Sequence, residues 1–271
     1  MKKPLIAGIA ALVLLPGIVS ATASAQEPEA AAARPRPQSP SAIGLGGWQV
    51  LTTAQVKDDG TAVSKPGYPT HGWFKVKPDD AGAPGTEINA LVQNGKCPNV
   101  FYSDNMRKCF GYQTKRGPVT TQQFKDPWWF RTDFDPGFRP GKNAKLTVPG
   151  VVGEGDVWVN GTLVAGKDVV SGAYAGHSFD ITKLLRPGKN TLAVKMYPND
   201  PNSMYTLDQA DWAQIVPDNN TGLQYPPTLE LSDALSGDNA HVVQDNAADL
   251  STSSLTAKVD VTNDAGTPQT G

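Results

Sequence analysis

Short runs of alternating apolar and polar residues, separated by turn residues, fill the chain from residue 128 to residue 197. Alternation at period two puts one set of side chains on one face of a strand, so each run predicts a half-buried strand. The runs are 128–134 (aromatic, alternating from Phe130 on), 145–148, 156–159, 162–165, 177–181 and 191–197. Asn160-Gly161 joins two of them and predicts a tight hairpin, because both central residues of a type I′ turn need positive φ. One helix is predicted in this stretch: Asp180 can cap a short turn through Thr182-Lys183-Leu184-Leu185, which Pro187-Gly188 then stops. No series of βαβ units is present, which excludes a doubly wound nucleotide-binding sheet. After Tyr225-Pro226-Pro227 come further strand-like runs at 228–231, 240–244 and 255–261, the last alternating as Leu255, Ala257, Val259, Val261. A β-sandwich needs about seven strands. A set of three buries little and leaves its edges unpaired, so the C-terminal region predicts only part of a second domain.

Composition sharpens this into an all-β sandwich. Charged residues make up 18% of the chain, with 27 Gly and 23 Pro placed between the short runs. The formal net charge of -2, with no basic cluster, argues against a nucleic-acid or anionic-membrane partner, since nothing supplies the counterion release that such binding needs. The first residues carry a different signal. Lys2 and Lys3 precede an apolar run over 5–19, and Ala23-Ser24-Ala25 offers the small-x-small pattern of a cleavage site. Residues 1–25 therefore read as a signal peptide, with Gln26 as the new N-terminus, rather than as a retained anchor, because the run is short for a bilayer. The expected location is extracellular, with no membrane association after cleavage. Residues 26–44, rich in Ala, Pro, Glu and Arg, have little to bury and are expected to form a disordered linker. The expected domains are 45–232, a full sandwich, and 233–271, an incomplete one.

Candidate chemistry is sparse. Cys97 and Cys109 lie close together in a chain expected to be exported, so a disulfide is the natural pairing. A metal site would need more ligands than His71, His177 and His241 can supply at their scattered positions. There is no nucleophile elbow, phosphate loop or zinc-protease motif, and no metal or cofactor is expected. Glycoside hydrolysis needs two carboxyl groups facing each other across the bond. Pairs such as Asp58-Asp59 and Asp79-Asp80 instead sit in polar turns, so no catalytic residue is assigned. What stands out is a set of loops rich in aromatic and amide side chains: Asn94-Gly95-Lys96, Phe101-Tyr102-Ser103-Asp104-Asn105-Met106, Tyr197-Pro198-Asn199-Asp200-Pro201-Asn202 and Asp211-Trp212. These types suit a saccharide rim, with ring faces against C–H surfaces and amides or carboxylates on hydroxyls. The same types also serve as turn formers and core anchors.

These loops, with Trp128-Trp129-Phe130-Arg131-Thr132, Val157-Trp158-Val159-Asn160-Gly161, Phe179-Asp180-Ile181-Thr182, Pro187-Gly188-Lys189-Asn190-Thr191-Leu192 and Asp218-Asn219-Asn220-Thr221-Gly222, resemble the N-terminal sugar-binding domain of glycoside hydrolase family 2 over about residues 48 to 264. Within the family, Val63-Ser64-Lys65-Pro66-Gly67-Tyr68-Pro69 and the Tyr197–Asn202 stretch look most like secreted exo-β-D-glucosaminidases, with β-mannosidases as the nearest alternative. The resemblance implies a galactose-binding-like jelly-roll sandwich over 45–232, then an immunoglobulin-like sandwich, then a catalytic barrel outside this chain on which the first domain packs. It further implies that Asp211 and Trp212 contact the terminal sugar, with Asn105 a third candidate, and that the ligand is an oligosaccharide or polysaccharide ending in β-linked glucosamine or mannose. A stand-alone secreted carbohydrate-binding protein is the alternative. One departure stands out: the family usually has an aromatic residue and then Arg after the Asn-x-Gly step, whereas this chain has Gln224 and Tyr225 followed by Pro226-Pro227.

Overall fold

The computed structural model describes residues 42–77, 82–111, 122–203, 216–265 and 267–269. In chain order its first strands are β1 (Ala42–Gly44), β2 (Trp48–Thr52), β3 (Phe74–Val76), β4 (Gly85–Thr86), β5 (Trp128–Phe134), β6 (Asn143–Val148), β7 (Val151–Val152) and β8 (Glu154–Val159). They continue with β9 (Thr162–Ala165), β10 (His177–Asp180), β11 (Asn190–Tyr197), β12 (Gly222–Leu223), β13 (Thr228–Ser232), β14 (Leu235–Asn246) and β15 (Ser253–Asn263). Three short helices, α1 (Gly60–Val63), α2 (Glu87–Gln93) and α3 (Asn105–Phe110), lie between β2 and β5.

Two antiparallel sheets form the sandwich, ordered β3-β2-β5-β11-β8-β9 and β1-β13-β6-β10. The period-two pattern becomes packing through register. Val50, Phe130, Val194 and Val157 stand opposite one another across four strands of the larger sheet, and all four are fully buried. Leu229 and Leu146 form the matching row of the smaller sheet. Each buried aliphatic or aromatic side chain in such a row stabilises by about 1.5 to 3 kcal/mol relative to exposure, which makes the two rows the main support of the fold. All-β class and jelly-roll architecture thus agree with the pattern in the sequence.

β5 and β11 are buried on both faces, which strict alternation does not convey. Trp128 and Phe130 enter the inter-sheet core, while Trp129 joins Leu51, Val63, Trp73 and Ala193 beneath the excursion of residues 53–73. Arg131 ties that excursion down. Its guanidinium donates to the Val63 carbonyl at 3.0 Å and the Lys65 carbonyl at 3.1 Å, and pairs with Asp133 at 2.7 Å. The hairpin turn between β8 and β9 has φ of 51° at Asn160 and 91° at Gly161, as a type I′ turn requires.

Two expectations need correction. Residues 182–185 form no helix: Asp180 accepts from the Thr182 amide at 2.9 Å, and the Ile181 carbonyl closes one turn with Leu184 and Leu185. A helix needs propagation beyond its nucleus to persist, and Pro187-Gly188 follows too soon. Helices instead form earlier, where Asp59 caps α1 by accepting from the Ala62 amide at 3.0 Å and Thr86 caps α2 by accepting from the Asn89 amide at 3.2 Å. Finally, β1 pairs with β13, so the sheet begins inside the 26–44 segment assigned to a linker. The 1–25 segment and Asp79-Asp80 lie outside the described residues. Beyond the sandwich, among the described residues, β14 and β15 pair only with each other.

Candidate functional site

One end of the sandwich brings together α2, the loop between the two cysteines, and the turn leading into β12. Each part is fixed by local chemistry. Asn94 closes α2 by donating its side-chain amide to the Ala90 carbonyl at 2.8 Å and to the Lys75 carbonyl at 2.9 Å. Cys97 and Cys109 are bonded, with Cα atoms 5.7 Å apart, which bears out the pairing read from the sequence. Inside that loop Asn99 and Ser103 take positive φ, and Asp104 forms an ion pair with Lys108 at 2.8 Å. The Lys108 hydrogen bond holds the Asp104 carboxyl below its ordinary range, so it is ionised.

The third wall is Asp218-Asn219-Asn220-Thr221-Gly222. Asp218 accepts from the Ile88 amide at 2.9 Å and from the Asn220 amide at 3.0 Å, which locks the turn onto the first turn of α2. Asn219 and Asn199 exchange side-chain amide bonds to each other's carbonyls at 2.9 and 2.8 Å. Gly222 is required where it stands: β12 runs so close to β4 that a Cβ would overlap the Gly85 carbonyl. Between these walls lies a cavity of about 200 Å³, lined mainly by Ile88, Val92, Val100, Phe101, Met106 and Val216, with Asp218 and Asn220 at its polar edge. Phe101 is 90% exposed and Tyr102 is 67% exposed. Apolar walls beside an exposed ring can take the C–H face of a ring-shaped ligand.

The residues selected from the sequence fall differently. Asp211 and Trp212 lie outside the described residues, and Val216, the first described residue after them, lines the cavity. Asn105 borders the same loop, but its side-chain amide donates to the Asn99 carbonyl at 3.0 Å and the Pro98 carbonyl at 3.4 Å, so its N–H groups brace the loop. Tyr197 of the Tyr197–Asn202 stretch is also engaged. Its hydroxyl donates to Asp156 at 2.8 Å, and burial together with that bond pushes its pKa up to about 12. Asn160 and Asn219, which begin the Asn-x-Thr patterns Asn160-Gly161-Thr162 and Asn219-Asn220-Thr221, serve the structure: Asn160 donates to the Leu184 carbonyl at 2.8 Å and Asn219 is fully buried. The apolar cavity itself escaped sequence reasoning; the only signal was the cluster Val100-Phe101-Tyr102 inside a cysteine loop.

The carboxyl groups on the elements that form the cavity are not open to it as free acids or bases. Asp218 holds backbone amides, Asp104 is ion-paired, and Glu87 is sealed from solvent. Among the described residues, no group of three or more His, Cys, Asp or Glu side chains is arranged to hold a metal ion.

The β-sandwich agrees with a galactose-binding-like domain, and the chain belongs to the glycosyl hydrolase 2 galactose-binding domain-like family, which it matches over residues 54–225. It is 41% identical over 225 residues to an exo-beta-D-glucosaminidase of Amycolatopsis orientalis, a match covering 83% of this chain and 20% of that enzyme. An exo-beta-D-glucosaminidase of Streptomyces avermitilis is 34% identical over 246 residues, covering 90% and 25%. The crystal structure of the Amycolatopsis orientalis exo-chitosanase superposes with a TM-score of 0.73 at 41% identity, covering 83% of this chain and 24% of that one. The chain thus spans a fifth to a quarter of the length of these relatives.

Proposed function

We propose that this chain is the non-catalytic N-terminal segment of a secreted family 2 glycoside hydrolase that removes terminal β-linked glucosamine from chitosan oligomers. The observation that carries the reading is the pairing of two coverages: 83% of the chain aligns with an exo-β-D-glucosaminidase, yet only 20% of that enzyme is spanned. The carboxyl groups around the cavity support it, because hydrolysis needs an accessible acid and an accessible nucleophile or base, whereas Asp218 holds backbone amides, Asp104 is ion-paired and Glu87 is sealed from solvent. On this reading the bond-cleaving pair belongs to a barrel outside residues 1–271, and residues 45–232 pack on it. Residues 233–271 would start the immunoglobulin-like domain, and residues 1–25 would direct export. Asp211 and Trp212 would reach the terminal sugar, with Asn105 a third candidate for contact through its loop. The ligand would end in β-linked glucosamine, with mannose the alternative.

A second reading, a stand-alone carbohydrate-binding protein, is favoured by one observation, the exposed rings of Phe101 and Tyr102 beside the cavity. Two assays on the secreted chain separate the readings. Incubation with an aryl β-glucosaminide is expected to give no turnover; turnover abolished by replacing one of the chain's own carboxylates would overturn the non-catalytic reading. Saturable binding of glucosamine oligomers by this chain alone, lost in Trp212→Ala, would establish the binding protein instead.

A further inference from the structure

Glu87 opens α2, yet its side chain faces inward and is wholly buried. Neither carboxyl oxygen has a hydrogen-bond partner. Its backbone is held against the Asp218 turn: the Glu87 amide donates to the Thr221 carbonyl at 3.1 Å, and the next amide, Ile88, donates to the Asp218 carboxylate at 2.9 Å. Two carboxyl groups therefore meet at the junction that builds the cavity wall. They are not equivalent. Asp218 accepts backbone amides, which favour its charged form, while Glu87 has nothing to offset a charge. Thr86, just before it, and Gly222 pair across β4 and β12, so α2 and the turn cannot separate without breaking this small sheet.

We propose that Glu87 makes the junction between α2 and the Asp218 turn a pH-sensitive latch, closed while its side chain is a neutral acid and loosened when it ionises. Ionisation would place a bare carboxylate in an apolar site beside the Asp218 charge, at a desolvation cost that buried groups avoid by staying neutral. Burial first, and then Asp218, push the Glu87 carboxyl well above its ordinary 4.5. Among the described residues, Asp218 is the charged group that acts on it. In the unfolded chain Glu87 ionises freely above 4.5, whereas the fold keeps the proton, so this residue's contribution is fully present below that pH and fades as pH rises towards the folded value. One retained proton changes the folding constant by roughly tenfold per pH unit across that window.

The test compares the full chain with its Glu87→Gln variant, an isostere that cannot ionise, by denaturant unfolding across a pH series from 4.5 upward. The wild type is expected to lose stability relative to Glu87→Gln as pH rises, by up to roughly tenfold in the folding constant per unit. Parallel curves for the two proteins would overturn the latch. Amide exchange on the wild type supplies an answer even if the variant fails to fold. Protection of the Glu87 and Ile88 amides, corrected for intrinsic rates, should fall by roughly tenfold per pH unit above 4.5; protection that holds steady across the series would refute the proposal. The series is repeated with calcium chloride and with a chelator. A pH dependence unchanged by either supports the proton, and one abolished by calcium and restored by the chelator would assign the junction to a cation instead.

Discussion

β6 and β15 carry the same signature in the sequence and opposite fates in the structure. In β6 the alternate residues Ala144, Leu146 and Val148 are fully buried between the sheets, whereas in β15 Leu255 is 66% exposed and Val261 62% exposed. β6 is flanked by β13 and β10 and faces the larger sheet; β15 has only β14, and Val242 stands beside Ala257 on the same uncovered apolar face. Alternation thus states that a face has the composition to be covered. Whether it is covered depends on what else is folded against it, which the strand's own residues do not specify.

Substitutions can break or sharpen that contrast. The largest effect is expected at Arg131, where Arg131→Met removes the tie between β5 and the 53–73 excursion and leaves Asp133 without its partner. A loss of about 3 to 5 kcal/mol in urea unfolding follows from leaving the Val63 and Lys65 carbonyls without their donor, at about 1 to 3 kcal/mol each, together with the lost pairing to the partly exposed Asp133. Leu146→Ala in β6 should cost about 2 to 5 kcal/mol by the same measurement, as for other large-to-small changes in packed cores. Replacing both cysteines by serine should cost about 2 to 3 kcal/mol through the freed 97–109 loop, with a drop in melting temperature. Leu255→Ser in β15 should stay within about 0.5 kcal/mol of the wild type, because its side chain is already in water. A Leu255→Ser loss as large as that of Leu146→Ala would show the hairpin face to be covered in solution and end the contrast.

Much of the sandwich was legible because its strands obey a rule local to each strand. Runs at 128–134, 156–159 and 191–197 appear within a residue or two of their predicted bounds, and Asn160-Gly161 turns as its residue types demand. The double burial of β5 and β11 was not legible, since the second cover comes from residues 53–73, far away in sequence. α2 was missed because it is only seven residues long: Ile88, Leu91 and Val92 fall at helical spacing, but two turns are too few for the period to stand out, and a buried Glu87 interrupts the apolar face. At the candidate site, the cysteine pair and the loop aromatics could be read from residue types. The part played by Asp218 could not, because its bond to the Ile88 amide depends on a contact 130 residues apart in the chain.

The most direct measurement is the intact mass of the secreted product from its native source, detected with an antibody raised against residues 45–232. If the chain is the N-terminal segment of a family 2 exo-glycosidase, the detected species is several times heavier than 28.7 kDa, as relatives roughly four times as long require. A species at or slightly below 28.7 kDa would contradict that reading and leave sugar binding as the function to pursue.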